Sequence, residues 1–289
     1  MSMPFYVAPE QWMKDKADFA RKGIARGRAL AALTYADGIL ICAENSSATL
    51  RKVSEIYDRI AFAGAGKYNE YDRLRIAGVR HADLKGYSFS REDVDAQSLA
   101  NAYAQMLGDV FTHEAKPMEV EIVVAEVGAD PSDDRLFHIL YDGTVVDEHG
   151  FTVLGGEADA IGARLKDTYT AGQPLAAALQ AAVGALAGSE RQLTAEGLEV
   201  AVLGRGSGRR AFRRLTDDEV TSALGGAAVE PEPQADVPPA TATAEEAAPA
   251  GDAGVEADQP GEGADPAPEG NGATGEDSGG DSASGDSDS

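Results

Sequence analysis

Apolar residues recur in two periods between Pro9 and Leu224, and the switches between them divide the chain into elements. Met13, Ala17, Ala20 and Ile24 fall at helical spacing, with Trp12 and Phe19 on the same broad face, which predicts an amphipathic helix from Pro9 to Ala25. Pro9-Glu10 suits its start: proline needs no donor in the first turn, and the acid favours the positive end of the dipole. Two apolar runs follow, residues 29–36 and 39–43, joined by Asp37-Gly38, a pair that accepts the positive φ of a tight hairpin. A second short pair covers 51–56 and 59–65. Residues 67–83 read as a helix with Tyr71, Leu74 and Ala77/Gly78 on one side. Residues 91–114 read as a longer one, in which Leu99, Tyr103, Met106 and Val110 step along one face. Strand character returns at 119–127 and 136–141, and Asp142-Gly143 turns into 144–147 and 151–154. Gly155-Gly156 then opens two helices, 157–169 and 174–187. A hairpin of 197–203 and 210–215 and a short helix at 217–224 close the pattern.

Strand hairpins therefore alternate with helix pairs rather than with single helices, which argues against a doubly wound parallel sheet. Two antiparallel sheets face to face, each covered by a helix layer, use every element. The expected fold is α+β, a four-layer αββα sandwich.

Charge divides the chain differently. The net charge is −24, yet residues 226–289 carry 16 of the 49 acids, none of the 25 bases, and no Phe, Tyr, Trp, Leu, Ile or Met. Such a segment has too little apolar area to offset the entropy of ordering it, so a disordered acidic tail is expected at 226–289. The expected organisation is a mobile arm at 1–8, one domain at 9–225 and that tail. An acidic body with a more acidic tail repels a phosphate backbone, which argues against nucleic-acid binding. The first ten residues lack a basic segment followed by an apolar one, and no apolar run reaches a membrane-spanning length, so no membrane partner and a cytoplasmic location are expected.

Chemistry is sparse. His81, His113, His138 and His149 lie far apart without ligand spacing, so no metal and no cofactor is expected. His138, within a strand run, reads as a packed core or interface side chain. Cys42 is the only cysteine and ends an apolar strand, where a buried inert thiol is expected. Gly204–Gly208 joins strand to strand, whereas a phosphate cradle needs a strand entering a helix. Arg209, Arg210, Arg213 and Arg214 read as a solvated or subunit-facing strand end. No Gly-x-Ser-x-Gly occurs, and by motif alone the chain is a non-enzyme.

Lys22-Gly-Ile-Ala-Arg-Gly-Arg28, Tyr35-Ala-Asp-Gly38, Ala43-Glu-Asn45 and Tyr57-Asp-Arg59 resemble the α-type subunits of proteasomes. The opening residues 1–11, the stretch Ala63–Asp72, Ala115-Lys-Pro117 and Arg210–Arg214 are similar to the actinobacterial α type, and the match runs in order over residues 1–225. This resemblance implies the sandwich of N-terminal-nucleophile hydrolases. It also implies a homo-heptameric ring of other α-subunits that caps β-subunits and admits unfolded protein substrates. The resemblance further implies that a ring ATPase docks on this ring by its C-termini in a Pup-dependent pathway. Active β-type relatives use an N-terminal threonine at the head of the first strand. Here that strand opens near Arg28-Ala29 without threonine, and the only Gly-Thr pair, Gly143-Thr144, lies in a hairpin, so no catalytic residue is expected. The resemblance assigns pore gating to the arm, with Phe5, Tyr6, Val7, Ala8 and Pro9 as gate residues, and activator docking to Lys52, with Asp18 in the same network. Trp12 and Phe19, with the helices at 9–25 and 67–83, are expected to carry ring contacts. Two alternatives stand beside this reading: an active hydrolase working alone through Ser2 or an internal cleavage, and an interaction protein of the same fold outside any protease barrel.

Overall fold

The computed structural model describes residues 8–47, 49–189 and 191–225. Helix α1 (Pro9–Ala25) leads into strands β1 (Leu30–Tyr35), β2 (Gly38–Glu44), β3 (Val53–Tyr57) and β4 (Ile60–Gly66). Helices α2 (Tyr68–Ser88) and α3 (Ala96–His113) follow, then β5 (Val120–Glu126), β6 (Arg135–Ile139), β7 (Val145–Glu148) and β8 (Phe151–Leu154). The order ends with α4 (Ala158–Thr168), α5 (Leu175–Ala187), β9 (Leu198–Gly204), β10 (Phe212–Arg214) and α6 (Asp217–Leu224).

The strands form two five-stranded sheets, β10-β9-β2-β1-β8 and β3-β4-β5-β6-β7, and every pairing is antiparallel. The alternation of side chains assigns each strand face to a cluster. Leu30 and Ala32 of β1, Ile39 and Ile41 of β2, Ala61 and Ala63 of β4, and Val123 and Ala125 of β5 share one apolar cluster drawn from both sheets. The opposite faces of β1 and β2, including Leu33, Leu40 and Cys42, join Leu165 of α4, Leu179 and Leu186 of α5 and Val220 of α6. Phe62 of β4 and Ile122 and Val124 of β5 join Leu74 of α2 and Leu99, Tyr103 and Leu107 of α3. Central strands are thus apolar on both faces, which explains their nearly unbroken apolar runs despite antiparallel pairing.

Four details depart from the sequence pattern. Helix α2 runs on to Ser88. Gly86 permits this, because a Cβ there would stand 2.2 Å from the hydroxyl of Tyr57. The helix expected from Arg91 begins at Ala96: Asp95 caps it by accepting from the Ser98 amide at 2.7 Å, and Arg91–Asp93 forms a separate 3₁₀ turn. The strands at 144–147 and 151–154 lie in different sheets. β7 pairs with β6 and β8 with β1, so the chain changes sheets at Gly150, which takes φ +82°. The first hairpin also forms with a shifted turn: Ala36-Asp37 are its two turn residues, and Gly38 already pairs with Tyr35 as the first residue of β2, at φ +146°, where a Cβ would stand 1.9 Å from the Leu203 carbonyl oxygen.

Candidate functional site

Helix α1 is pinned across the molecule by a buried cation. Lys16 lies on its inner face with Ala20 and Ile24, and its ammonium donates to the Phe111 carbonyl at 2.8 Å, in the last turn of α3. A cation there meets the negative end of the α3 dipole. The same ammonium stands 3.9 Å from the centroid of the Trp12 ring, so Trp12 is held in place while 44% exposed. Phe19, 47% exposed, lies beside the ammonium of Lys116, which pairs with Glu70 at 2.9 Å and Glu119 at 3.0 Å. Both aromatic residues named from the pattern are therefore surface side chains on a fixed helix. Pro9 occupies the first turn, and the Ala8 carbonyl accepts from Trp12 at 3.1 Å, so these two gate candidates form the root of α1. Phe5, Tyr6 and Val7, like Ser2 and the tail at 226–289, lie outside the described residues.

Between α1 and β1 the chain passes through a tight space. The Gly27 amide donates to the Ile24 carbonyl at 2.8 Å, and the Gly27 carbonyl accepts from Gly156 at 2.9 Å. A Cβ on Gly27 would stand 2.8 Å from the amide nitrogen of Gly66, so only glycine lets this linker lie against the end of β4. Strand β1 therefore opens at Leu30 behind a helix and a hydrogen-bonded linker, with no threonine at its head.

Lys52 lies just ahead of β3, half-buried, with its ammonium on the Arg28 carbonyl of that linker. Burial pushes its pKa down to about 8; the Arg28 charge adds to this, and Glu44 and Glu199 oppose it. Its amide donates to Glu199 at 2.8 Å. Glu199 is itself buried and accepts from Asn45 Nδ2 at 2.8 Å, the Val53 amide at 3.3 Å and the guanidinium of Arg214. Arg214 also donates to the Val53 carbonyl, so one carboxylate ties β9 and β10 of one sheet to β3 of the other. Arg214, part of a run that reads as a solvated or subunit-facing strand end, is thus tied inward to Glu199 and Val53. Arg210 pairs with Glu55 and Arg213 with Glu219. Asp18 sits on the exposed part of α1, 3.6 Å from Arg21, and among the described residues no hydrogen bond or ion pair joins it to Lys52.

Elsewhere the chemistry is quiet. Cys42 is buried and its thiol is pushed up to about 12 by burial, as an inert core thiol requires. His138 on β6 is largely buried near Glu121 and Glu148, at 3.4 and 3.9 Å. Among the described residues, no group of three or more His, Cys, Asp or Glu could hold a metal ion, and no helix is long and apolar enough to cross a membrane.

Residues 24–203 match the family model described as "Proteasome subunit". The chain belongs to the proteasome subunit family. Its relatives place it on the α branch. It is 63% identical over 225 residues to the proteasome subunit alpha of Acidimicrobium ferrooxidans, an alignment that covers 78% of this chain and 97% of that one. It is 57% identical to the subunits of the same name from Kineococcus radiotolerans and Xylanimonas cellulosilytica, over 78% of this chain and 99% and 97% of theirs. As an α-type proteasome subunit the chain is non-catalytic, and an independently active hydrolase finds no support. Membership also implies ring partners, other α subunits and β subunits.

Sequence reasoning missed Lys16, Glu199 and Glu44. Two of them left a trace. A lysine on the apolar face of α1 and an acid between Leu198 and Val200 are buried charges in the making, and each requires a partner.

Proposed function

We propose that this chain forms the homo-heptameric outer ring of a core proteasome, scaffolds the β ring, gates entry of unfolded protein substrates and docks a ring ATPase in a cytoplasmic, Pup-dependent pathway. The observation that carries the reading is the retained α1 and its linker, which occupy the approach to β1 and leave the helix as a platform for what precedes it. The four-layer αββα sandwich belongs to the same reading. It is supported by one apolar cluster drawn from both sheets and two clusters that each join one sheet to helices. Residues 9–225 are then the α-type domain, 1–8 the gating arm and 226–289 an acidic appendage. Phe5, Tyr6 and Val7 from seven copies meet on the axis, with Ala8 and Pro9 at the root of each arm. Each arm gains contact area only when its neighbours are present. Lys52 receives the C-terminal carboxylate of the ATPase, a charge-assisted contact, and Asp18 contributes from α1. Trp12 and Phe19 serve the ring contacts, as their exposure on a fixed helix permits.

Deleting residues 2–8 tests the gate. In particles assembled with the β subunit, the deletion is expected to raise the hydrolysis rate of a short fluorogenic peptide several-fold, with the number of active β subunits unchanged by active-site labelling. An unchanged rate in correctly assembled particles contradicts gating by the arm.

A further inference from the structure

Beside Lys52 stands a carboxylate that neither the fold nor the docking reading uses. Glu44 ends β2, and its amide donates to the Ala29 carbonyl at 3.0 Å, which sets it against the opening of β1. Its side chain is 12% exposed, yet the two arginine side chains whose guanidinium groups it meets, Arg28 and Arg191, are about half exposed at 52% and 47%. Arg191 Nη1 stands 3.3 and 3.1 Å from the two carboxylate oxygens, and Arg28 Nη1 3.8 Å from Oε1. The other arm of Arg191 is tied to the Leu186 carbonyl at 2.8 Å, so its guanidinium is held in place. The Arg28 carbonyl, in turn, holds the ammonium of Lys52. Glu199, the second acid near Lys52, is fully engaged by Arg214, Asn45 and two backbone amides. Glu44 differs: its cationic partners face solvent, where an arriving anion reaches them.

We propose that Glu44 is a resident counter-carboxylate, which a C-terminal carboxylate docking at Lys52 must displace from Arg28 and Arg191. The inference rests on the docking role of Lys52. A tethered carboxylate acts at a high effective concentration, so it outcompetes weak or poorly placed anions and yields only to a ligand with further contacts. Acidic side chains of passing proteins are thereby rejected, and selectivity comes from a built-in competitor as well as from attraction. No bond forms or breaks; one carboxylate replaces another.

The test uses assembled core particles and a fluorescently labelled peptide of the ring ATPase C-terminus, as the free acid and as the C-terminal amide, with binding read by polarisation. Glu44→Gln is expected to tighten binding of the free acid by about two- to fivefold, the size of a half-exposed ion pair, and to leave the amide unchanged. Arg191→Gln, a second variant should the first fail to assemble, is expected to weaken the free acid, because it removes a cation and leaves Glu44 to Lys52. If Lys52→Ala abolishes binding while Glu44→Gln has no effect, weakens binding or tightens acid and amide alike, the inference is overturned and docking stands. Tighter or unchanged binding in Arg191→Gln overturns the inference in the same way. If Lys52→Ala leaves binding intact, the docking reading fails and the inference with it.

Discussion

Replacing Glu199 with alanine is expected to destabilise the subunit by about 3–5 kcal/mol, the usual consequence of removing one partner from a buried ion pair. The carboxylate is 4% exposed and accepts from Asn45, the Lys52 and Val53 amides and Arg214, so alanine leaves these donors without their acceptor inside the fold. Because the group joins β9 and β10 to β3, the loss also loosens one sheet against the other at the end where Lys52 sits. Chemical denaturation of the purified α subunit checks this. Glu199→Gln keeps shape and one acceptor and is expected to lose less. A cost below about 1 kcal/mol for the alanine variant, the size of an exposed ion pair, would contradict the burial of this network.

Lys52→Ala is expected to weaken ATPase docking by about thirtyfold or more, since truncating one partner of a hydrogen-bonded charge contact costs about 2 kcal/mol or more. Hydrolysis of short peptides by the same particles should not change, because nothing in the β subunits is altered. Lys52→Arg is expected to restore docking only in part, as the planar guanidinium cannot reproduce the point contact on the Arg28 carbonyl. The reading also fixes a pH dependence. Docking needs the ammonium, whose pKa is pushed down to about 8 by burial, so docking should be present below that value and fade as pH rises through and beyond it. Unfolding does not imitate this trend. A lysine whose folded pKa is lowered makes the ammonium form unfavourable to the fold, so its contribution to stability improves as pH rises through the same range. Equal docking on both sides of pH 8, or a pH dependence that survives in Lys52→Ala, contradicts the assignment.

The sequence revealed most elements because their signals are local. Period-two runs, Asp-Gly turns and the helical step of residues such as Leu175, Leu179 and Val183 each act within a few residues. The expected start of α1 at Pro9 and its end at Ala25 agree with the structure for that reason. Errors came where a distant group decides. Helix α2 passes Asp83 because Gly86 leaves room for Tyr57, a residue of β3. Arg214 reads as one more base in an arginine run until β10 lies beside β9 and brings it to Glu199. The site follows the same rule. Lys52 was legible only through family resemblance, since Arg51-Lys52 is otherwise a charged strand start. Its carbonyl partner, its buried acid and the flanking arginines come from positions between 28 and 214, and no spacing encodes them. Among the described residues, no hydrogen bond or ion pair joins Asp18 to Lys52 within one subunit.

If this subunit supplies architecture and gating while the chemistry lies on β subunits, the purified chain alone is inert and keeps its full mass. Particle size and peptidase activity, measured on the chain alone and after co-expression with its β partner, should then show activity only in a barrel-sized assembly. Peptide cleavage by the chain alone, accompanied by loss of an N-terminal segment in its intact mass, would mean that α1 is removed and that β1 carries a nucleophile after all.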